Sequence, residues 1–353
     1  MNIKFLHKSY LWIMAFAASA SFCSCKDWIY DDLDPCTVTY KIKFRYDHNM
    51  KYADAFPAEV RSVNVWAFDE EGNLAWQSEA AGDPLSDPDF SITADLAPGT
   101  YDFIVWGGLA PASPFKVENA SRPARMEDLG CELRLSDGPS GKYMNHELPD
   151  GLYHGRLDDV RLEVRDTEHV VQTVTIPLKK NTNEVQVILQ HIDGSPIGRT
   201  DFSVSISAEN SSLGWDNEVL PSDAFIYTPW STVHGSADID NPSVRAAAST
   251  RDTQTSVTTL LNEVAMNRMI AGKEQILTVT RNTDGRQVIR IPLIQYLLLV
   301  KGNYHRDISD QEYLDRQDEY SVFFFLDHDN NWYMAGGIYI NGWAVVPPQE
   351  SEM

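Results

Sequence analysis

Thr37-Val38-Thr39-Tyr40-Lys41-Ile42-Lys43-Phe44-Arg45 carries the fold class. Val38, Tyr40, Ile42 and Phe44 alternate with Thr39, Lys41 and Lys43. A period of two sends the apolar set to one face and the polar set to the other, which is the pattern of a half-buried strand. The same grammar continues downstream. Val60 to Phe68 is rich in Val and aromatics, and Asp69-Glu70-Glu71-Gly72-Asn73 turns it into Leu74-Ala75-Trp76-Gln77. Phe90, Ile92, Ala94 and Leu96 alternate again, Pro98-Gly99 makes a tight turn, and Tyr101 to Trp106 runs into Gly107-Gly108. Strands at short spacing without an amphipathic helix of useful length predict an antiparallel sandwich.

Pro111 to Gly151 is the loosest stretch and reads as a long loop around this sandwich, with a short helix near Ala124 to Leu129. Strands resume at Val160 to Val164 and Val171 to Leu178. Lys179-Lys180-Asn181-Thr182-Asn183 then separates them from a second set. That set comprises Val185 to Leu189, Phe202 to Ala208, Ala224 to Tyr227, Val257 to Leu261, Gln275 to Arg281 and Gln287 to Ile291. Short helical pieces follow at Leu293 to Val300 and Asp310 to Arg316, and closing strands at Tyr320 to Leu326 and Trp332 to Trp343. Asn241 to Thr253 is small and polar, an expected exposed loop. The expectation is an all-β chain of two tandem antiparallel β-sandwich domains, 36–178 and 179–353.

The N-terminus reads as an export signal over residues 1–24. Lys4 and Lys8 form the positive region, Tyr10 to Ala20 an uncharged apolar run too short to cross a bilayer, and small residues crowd the end. Ser21-Phe22-Cys23-Ser24-Cys25 resembles a bacterial lipobox, which makes Cys25 the first mature residue with acyl chains on its sulfur and amine; Cys23 is the competing position. Residues 25–35 form an acidic tether. Of the four cysteines, Cys36 and Cys131 then remain, either bridged in an oxidising exported setting or left as two buried thiols.

Removing the two signal lysines from 29 basic residues leaves 27 against 51 acids, a mature net charge of −24. That acidity disfavours nucleic acid and anionic headgroups as partners. Gly138-Pro139-Ser140-Gly141-Lys142 lacks the spacing and the hydroxyl residue of a phosphate loop and reads as an exposed loop. Asp327-His328-Asp329-Asn330-Asn331 starts like a calcium loop, but Trp332 occupies the glycine position; it reads as a hairpin turn capped by its own side chains. His146 and His154 flank a turn without a third ligand, so both read as surface or loop histidines. No G-x-S-x-G elbow is present, and no spacing selects a carboxylate pair. These readings point to no catalytic residue, metal or cofactor. Trp66, Trp76, Trp106, Trp332 and Trp343 fall on expected strands; core filling is favoured over an exposed carbohydrate platform.

Several stretches together resemble one family. They are Asp31-Asp32-Leu33-Asp34-Pro35-Cys36, Phe44-Arg45-Tyr46-Asp47-His48-Asn49-Met50, Ala53-Asp54-Ala55-Phe56, Val65-Trp66-Ala67-Phe68-Asp69 with Gly72, Pro98-Gly99-Thr100-Tyr101 and Trp106-Gly107-Gly108-Leu109. In the second half they are Gln311-Glu312-Tyr313-Leu314-Asp315-Arg316-Gln317, Tyr320 to Asp327 and Ile340-Asn341-Gly342-Trp343. The chain resembles the FimB/Mfa2-type fimbrial anchor lipoproteins of Bacteroidales over nearly its whole mature length. The resemblance implies transthyretin-like topology in both sandwiches. It also implies an outer-membrane, surface-exposed lipoprotein that fixes a fimbrium to the cell and limits its growth, with fimbrial stalk subunits as partners and no catalytic residue. Among sites, it carries over Cys25 alone. A surface lipoprotein that binds glycan or host protein through a sandwich face is the alternative.

Overall fold

In the computed structural model the described residues are 38–145, 150–163, 170–238, 256–302 and 305–345. The signal, Cys25, the tether, Cys36, His146, the segment 241–253 and the tail 346–353 lie outside them. The chain divides into a small unit, Met1–Thr39 with Val164–Val171, and a large one, Tyr40–Glu163 with Gln172–Met353. In the small unit the Thr39 amide donates to the Val170 carbonyl at 3.0 Å.

The first half forms β1 (Thr39–Arg45), α1 (Phe56–Glu59), β2 (Ser62–Phe68), β3 (Leu74–Ala81), β4 (Ile92–Ala94), β5 (Gly99–Gly107), β6 (Phe115–Val117), β7 (Cys131–Leu133), β8 (Ser136–Gly138), β9 (Gly141–Met144), β10 (Tyr153–Leu162) and β11 (Val171–Lys180). The second half forms β12 (Thr182–His191), β13 (Phe202–Ala208), β14 (Ser212–Leu213), β15 (Phe225–Tyr227), β16 (Ser231–Asp238), β17 (Ser256–Asn267), β18 (Ile276–Arg281), β19 (Arg286–Pro292), α2 (Leu293–Leu299), α3 (Asp310–Arg316), β20 (Glu319–Leu326), β21 (Ile338–Ile340) and β22 (Trp343–Val345). The protein is all-β, and two of the three short α-helices among its described residues, α2 and α3, fall where the sequence reading places helical pieces, at Leu293 to Val300 and Asp310 to Arg316.

The strands make a seven-stranded sheet, β3-β2-β5-β10-β11-β1-β4, and two six-stranded sheets, β16-β17-β12-β20-β21-β22 and β19-β18-β13-β15-β9-β8. A three-stranded sheet, β14-β7-β6, is the fourth among the described residues. Chain order shows in β1: Tyr40, Ile42 and Phe44 are buried, whereas Thr39, Lys41 and Lys43 are half exposed. β2 and β5 bury both faces. Val63, Val65 and Ala67 point one way and Trp66 and Phe68 the other; Phe103 and Val105 likewise oppose Ile104 and Trp106. Trp66, Phe68, Ile104 and Trp106 share one continuous core with Val187, Ile206, Leu260 and Phe324 of the second half. Burying each such side chain is worth about 1.5–3 kcal/mol, so the shared core binds the halves firmly.

Two features depart from the sequence expectation. The stretch from Pro111 to Gly151 does not simply wrap the first sheet. β7 pairs with β14 through Leu213 opposite Cys131, and the β8–β9 hairpin extends a second-half sheet through Tyr143 opposite Ile226. The Gly138 to Lys142 stretch is the tip of that hairpin, Gly138 facing Gly141. These strands are three or four residues long, too short to show a period, and their partners lie far away in the chain. The six-stranded sheets are also mixed, since β12–β20 and β9–β15 pair in parallel. A parallel return requires a long crossover, and the chain between β12 and β20 supplies one.

Candidate functional site

The stretch after β1 is tied down by two polar side chains. The Asp54 carboxylate accepts from the Tyr46 amide at 2.9 Å and the Phe56 amide at 3.0 Å. Asn49 donates to the Tyr46 and Ala53 carbonyls at 3.1 and 2.8 Å. Far along the chain, α3 begins at Ser309, whose side chain accepts from the Glu312 amide at 3.0 Å. Arg316 at its end donates to the Asp47 and Asn49 carbonyls at 3.3 and 3.4 Å and lies over the Tyr52 ring at 4.5 Å. Two stretches about 270 positions apart in the chain therefore meet at one junction.

Beside that contact sits a cluster of charges. Lys180 Nζ, at the end of β11, lies 3.3 Å from Glu59 Oε2 and 3.3 Å from Asp318 Oδ2. Tyr46 donates to Asp318 Oδ2 at 3.0 Å, and Tyr153 to Glu59 Oε2 at 3.4 Å. Two carboxylates face one ammonium, so the group carries one surplus negative charge. Burial pushes the Asp318 carboxyl up, and Lys180 pulls it back only in part. Burial alone would lower the Lys180 pKa, but Asp318 and Glu59 outweigh it and hold the ammonium above its usual range. Burial, with Asp318 close by, also drives the Tyr46 phenol well up, so it stays a donor.

A second seam lies alongside. Asn181 and Asn217 exchange amide hydrogen bonds of 2.6 and 3.1 Å, both side chains buried. His154, expected at the surface, is 5% exposed on β10 because its ring packs edge-on against Trp106 at 4.6 Å. Its Nε2 donates to the Trp215 carbonyl at 2.8 Å. Burial lowers its pKa to about 4, so the ring is neutral. These groups can carry load between sheets. They form no nucleophile–base pair, and among the described residues no cluster of His, Cys, Asp or Glu is arranged to hold a metal ion.

Sequence reading found part of this. The Asp327 turn is capped as expected, its Oδ1 accepting from the Asp329 and Asn331 amides at 3.0 and 2.8 Å. Trp66 and Trp106 are core residues, Trp76 and Trp332 are half buried, and Trp343 is 58% exposed. Cys131 is buried on β7, within the shared core. Lys180, Glu59 and Asp318 carried no signal of their own, because nothing in a linear sequence pairs three such charges. Among the described residues no helix is long and apolar enough to cross a membrane.

The model of the family described as fimbrillin-A associated anchor proteins Mfa1 and Mfa2 matches residues 33–346. The chain belongs to that family. The match takes in both stretches that meet at the junction and every described strand. The minor fimbrium anchoring subunit Mfa2 of Porphyromonas gingivalis is 23% identical over 326 residues, covering 91% of this chain and 90% of that protein. A solved candidate adhesin of Bacteroides thetaiotaomicron is 32% identical, covers 89% of this chain and 99% of its own, and superposes with a TM-score of 0.73. A second protein of that organism, described as a candidate polysaccharide-binding protein, is 26% identical, covers 90% and 100%, and has a TM-score of 0.70. The solved Mfa2 of Porphyromonas gingivalis, at 18% identity, 88% and 99% coverage and a TM-score of 0.57, shares the fold.

Proposed function

We propose that this chain is a non-enzymatic anchor subunit that fixes a fimbrium to the outer membrane. The family match over residues 33–346 carries the reading. In it, Cys25 bears the acyl chains, of the palmitate class, that hold the protein at the cell surface. The tether 25–35 spans from lipid to fold, and two sandwich halves, 36–178 and 179–353, of transthyretin-like topology, link the lipid to the stalk. The junction around Lys180 and Arg316 supports a load-bearing role, because it crosses from one half to the other through partly buried polar contacts. The stalk joins by exchange of an extended segment across an open sheet edge, and the lipid prevents addition below it, which limits growth. Trp343–Val345 already pairs with β21 as β22, so a segment available for exchange at this end would begin after Val345.

Cys25→Ala, followed by separation of cells, membranes and medium, tests the anchor. The expected result is loss of the protein from the membrane fraction and release of filaments; filaments that stay attached at normal length overturn it. A bridge between Cys36 and Cys131 belongs to the same exported reading. Peptide mapping of unreduced protein is expected to show the linked pair, and a Cys131 that alkylates fully after unfolding without reduction overturns that part. The polysaccharide-binding description of the relative at 26% identity favours a second reading, surface binding of glycan through a sandwich face. Retention of the purified full chain on immobilised cell-surface polysaccharide, with filament attachment unaffected by Cys25→Ala, would favour that reading over the anchor.

A further inference from the structure

The sheet β16-β17-β12-β20-β21-β22 has one face in the core and one face outside. Leu260, Leu189, Phe324 and Ile338 on the inner face are fully buried. On the outer face the registers align one residue from every strand into a single row. Val233 faces Leu261, Leu261 faces Ile188, Ile188 faces Phe323, Phe323 faces Tyr339, and Tyr339 faces Ala344. The row is apolar from edge to edge. The outer face of a sandwich sheet normally alternates to polar residues. Val233 is 48% and Tyr339 38% exposed, and Leu261, Ile188 and Phe323 are half buried. Phe325, two residues on, widens the row through ring contacts with Phe323 at 4.9 Å and Tyr339 at 6.0 Å. Of the ten exposed large apolar side chains among the described residues, Val233 and Tyr339 lie in this row and Tyr333 and Met334 on the segment joining β20 to β21, whereas Trp343, opposite buried Ile340, is on the other face. That concentration marks an interaction surface, not scattered exposure.

Charge narrows the occupant. On the same face, toward the start of β12, Glu319 opens β20 and Glu263 faces Gln186. The six strands contain neither Lys nor Arg. An anionic lipid surface is repelled by such a rim, and a second copy of this chain would bring the same acids against it. We infer that this face is the docking surface for the neighbouring fimbrial subunit, a protein surface that is apolar at its centre and flanked by Lys or Arg. The inference rests on the anchor reading for the partner's identity and on the sheet face alone for its location.

The test uses filaments sheared from cells that lack this chain, and the full-length lipidated protein. Phe323→Lys with Tyr339→Lys places charge in the row, and Glu319→Lys with Glu263→Lys reverses the rim without touching the apolar centre. Both proteins are expected to remain in the membrane fraction with melting temperatures within a few degrees of the parent. The row variant is expected to lose filament binding at least tenfold. The rim variant is expected to weaken binding and to flatten its dependence on salt. Normal filament binding by both folded variants overturns the inference. If Cys25→Ala releases filaments and the face variants do not, the anchor stands and the docking face falls. If Cys25→Ala leaves filaments attached, the anchor reading falls, and binding of sheared filaments to the immobilised chain still decides the face. Three outcomes assign the face elsewhere and overturn the inference: a parent dimer that the row variant abolishes, a row variant that loses only polysaccharide binding, or new hydrophobic-dye binding on deleting residues 346–353.

Discussion

Arg268 and Asp315 form a two-pronged ion pair inside the protein, Nε to Oδ1 at 2.8 Å and Nη2 to Oδ2 at 2.7 Å, with side chains 9% and 3% exposed. The pair joins the residue after β17 to α3. Gln311 adds a third donor, its Nε2 lying 2.8 Å from Asp315 Oδ1, and Arg268 also donates to the Asn217 carbonyl. Cutting one partner of such a pair strands the other charge in a low dielectric. Asp315→Ala is expected to cost about 3–5 kcal/mol in denaturant unfolding. Replacing both with apolar residues, as Arg268→Met with Asp315→Leu, is expected to cost clearly less; equal losses would show that the pair is not what Asp315 supports.

Lys180 holds Glu59 and Asp318 together, and without it two carboxylates face each other. Lys180→Met is expected to destabilise by about 1–2 kcal/mol at neutral pH, a modest figure because Glu59 is partly open to solvent. The loss should shrink in acid as Asp318, its pKa already raised by burial, takes up a proton. The Lys180 pKa is raised in the folded state, so its contribution is complete below the unfolded lysine value of about 10.4 and disappears as pH climbs through the folded value. Stability curves for parent and variant should therefore converge at high pH.

His154 has the opposite sign. Burial lowers its folded pKa to about 4, against an ordinary value of 6.5. Above pH 6.5 both states are neutral and nothing changes. Between 6.5 and 4 the unfolded chain gains a proton that the folded chain refuses, so stability falls by about 3 kcal/mol. His48, lowered to about 4 chiefly by burial, acts in the same direction. His154→Gln is expected to flatten part of the acid limb; an unchanged pH profile would exclude His154 as its source.

Gly108 and Gly82 both take positive φ, +83° and +81°, but differ in room. A Cβ on Gly108 would sit 1.8 Å from the Gly151 carbonyl oxygen, whereas one on Gly82 meets nothing within 4 Å. Gly82→Ala is expected to cost only the backbone term, about 1–2 kcal/mol. Gly108→Ala must also displace backbone, and a loss of about 4 kcal/mol or failure to fold is expected. Thermal melts of the two variants check the difference.

Legibility tracked the range of the interactions. β1, β2, β5, β12, β13 and β20 were visible because each is long enough to show a period, and α3 was visible as the short helical piece Asp310 to Arg316. β6 to β9 were invisible because short strands leave no pattern and borrow their order from β14 and β15. His154 read as a surface histidine because the turn beside it is polar; its burial comes from Trp106 and Trp215, which are neighbours only in the folded state. The stretches around Asn49 and Arg316 stood out one at a time, yet nothing in the sequence said they touch.

The sequence by itself determined the fold class, the half-buried face of strands such as β1, and the family to which the chain belongs. All of these rest on local spacing or on motifs that survive without knowledge of contacts. Tertiary structure alone decided which strands share a sheet, that β12 and β20 run parallel, that Lys180 is shared by two distant carboxylates, and that an apolar row crosses the outside of one sheet. Register is the reason. Each strand's alternation says which residues share a face, but only pairing places Val233, Leu261, Ile188, Phe323 and Tyr339 side by side.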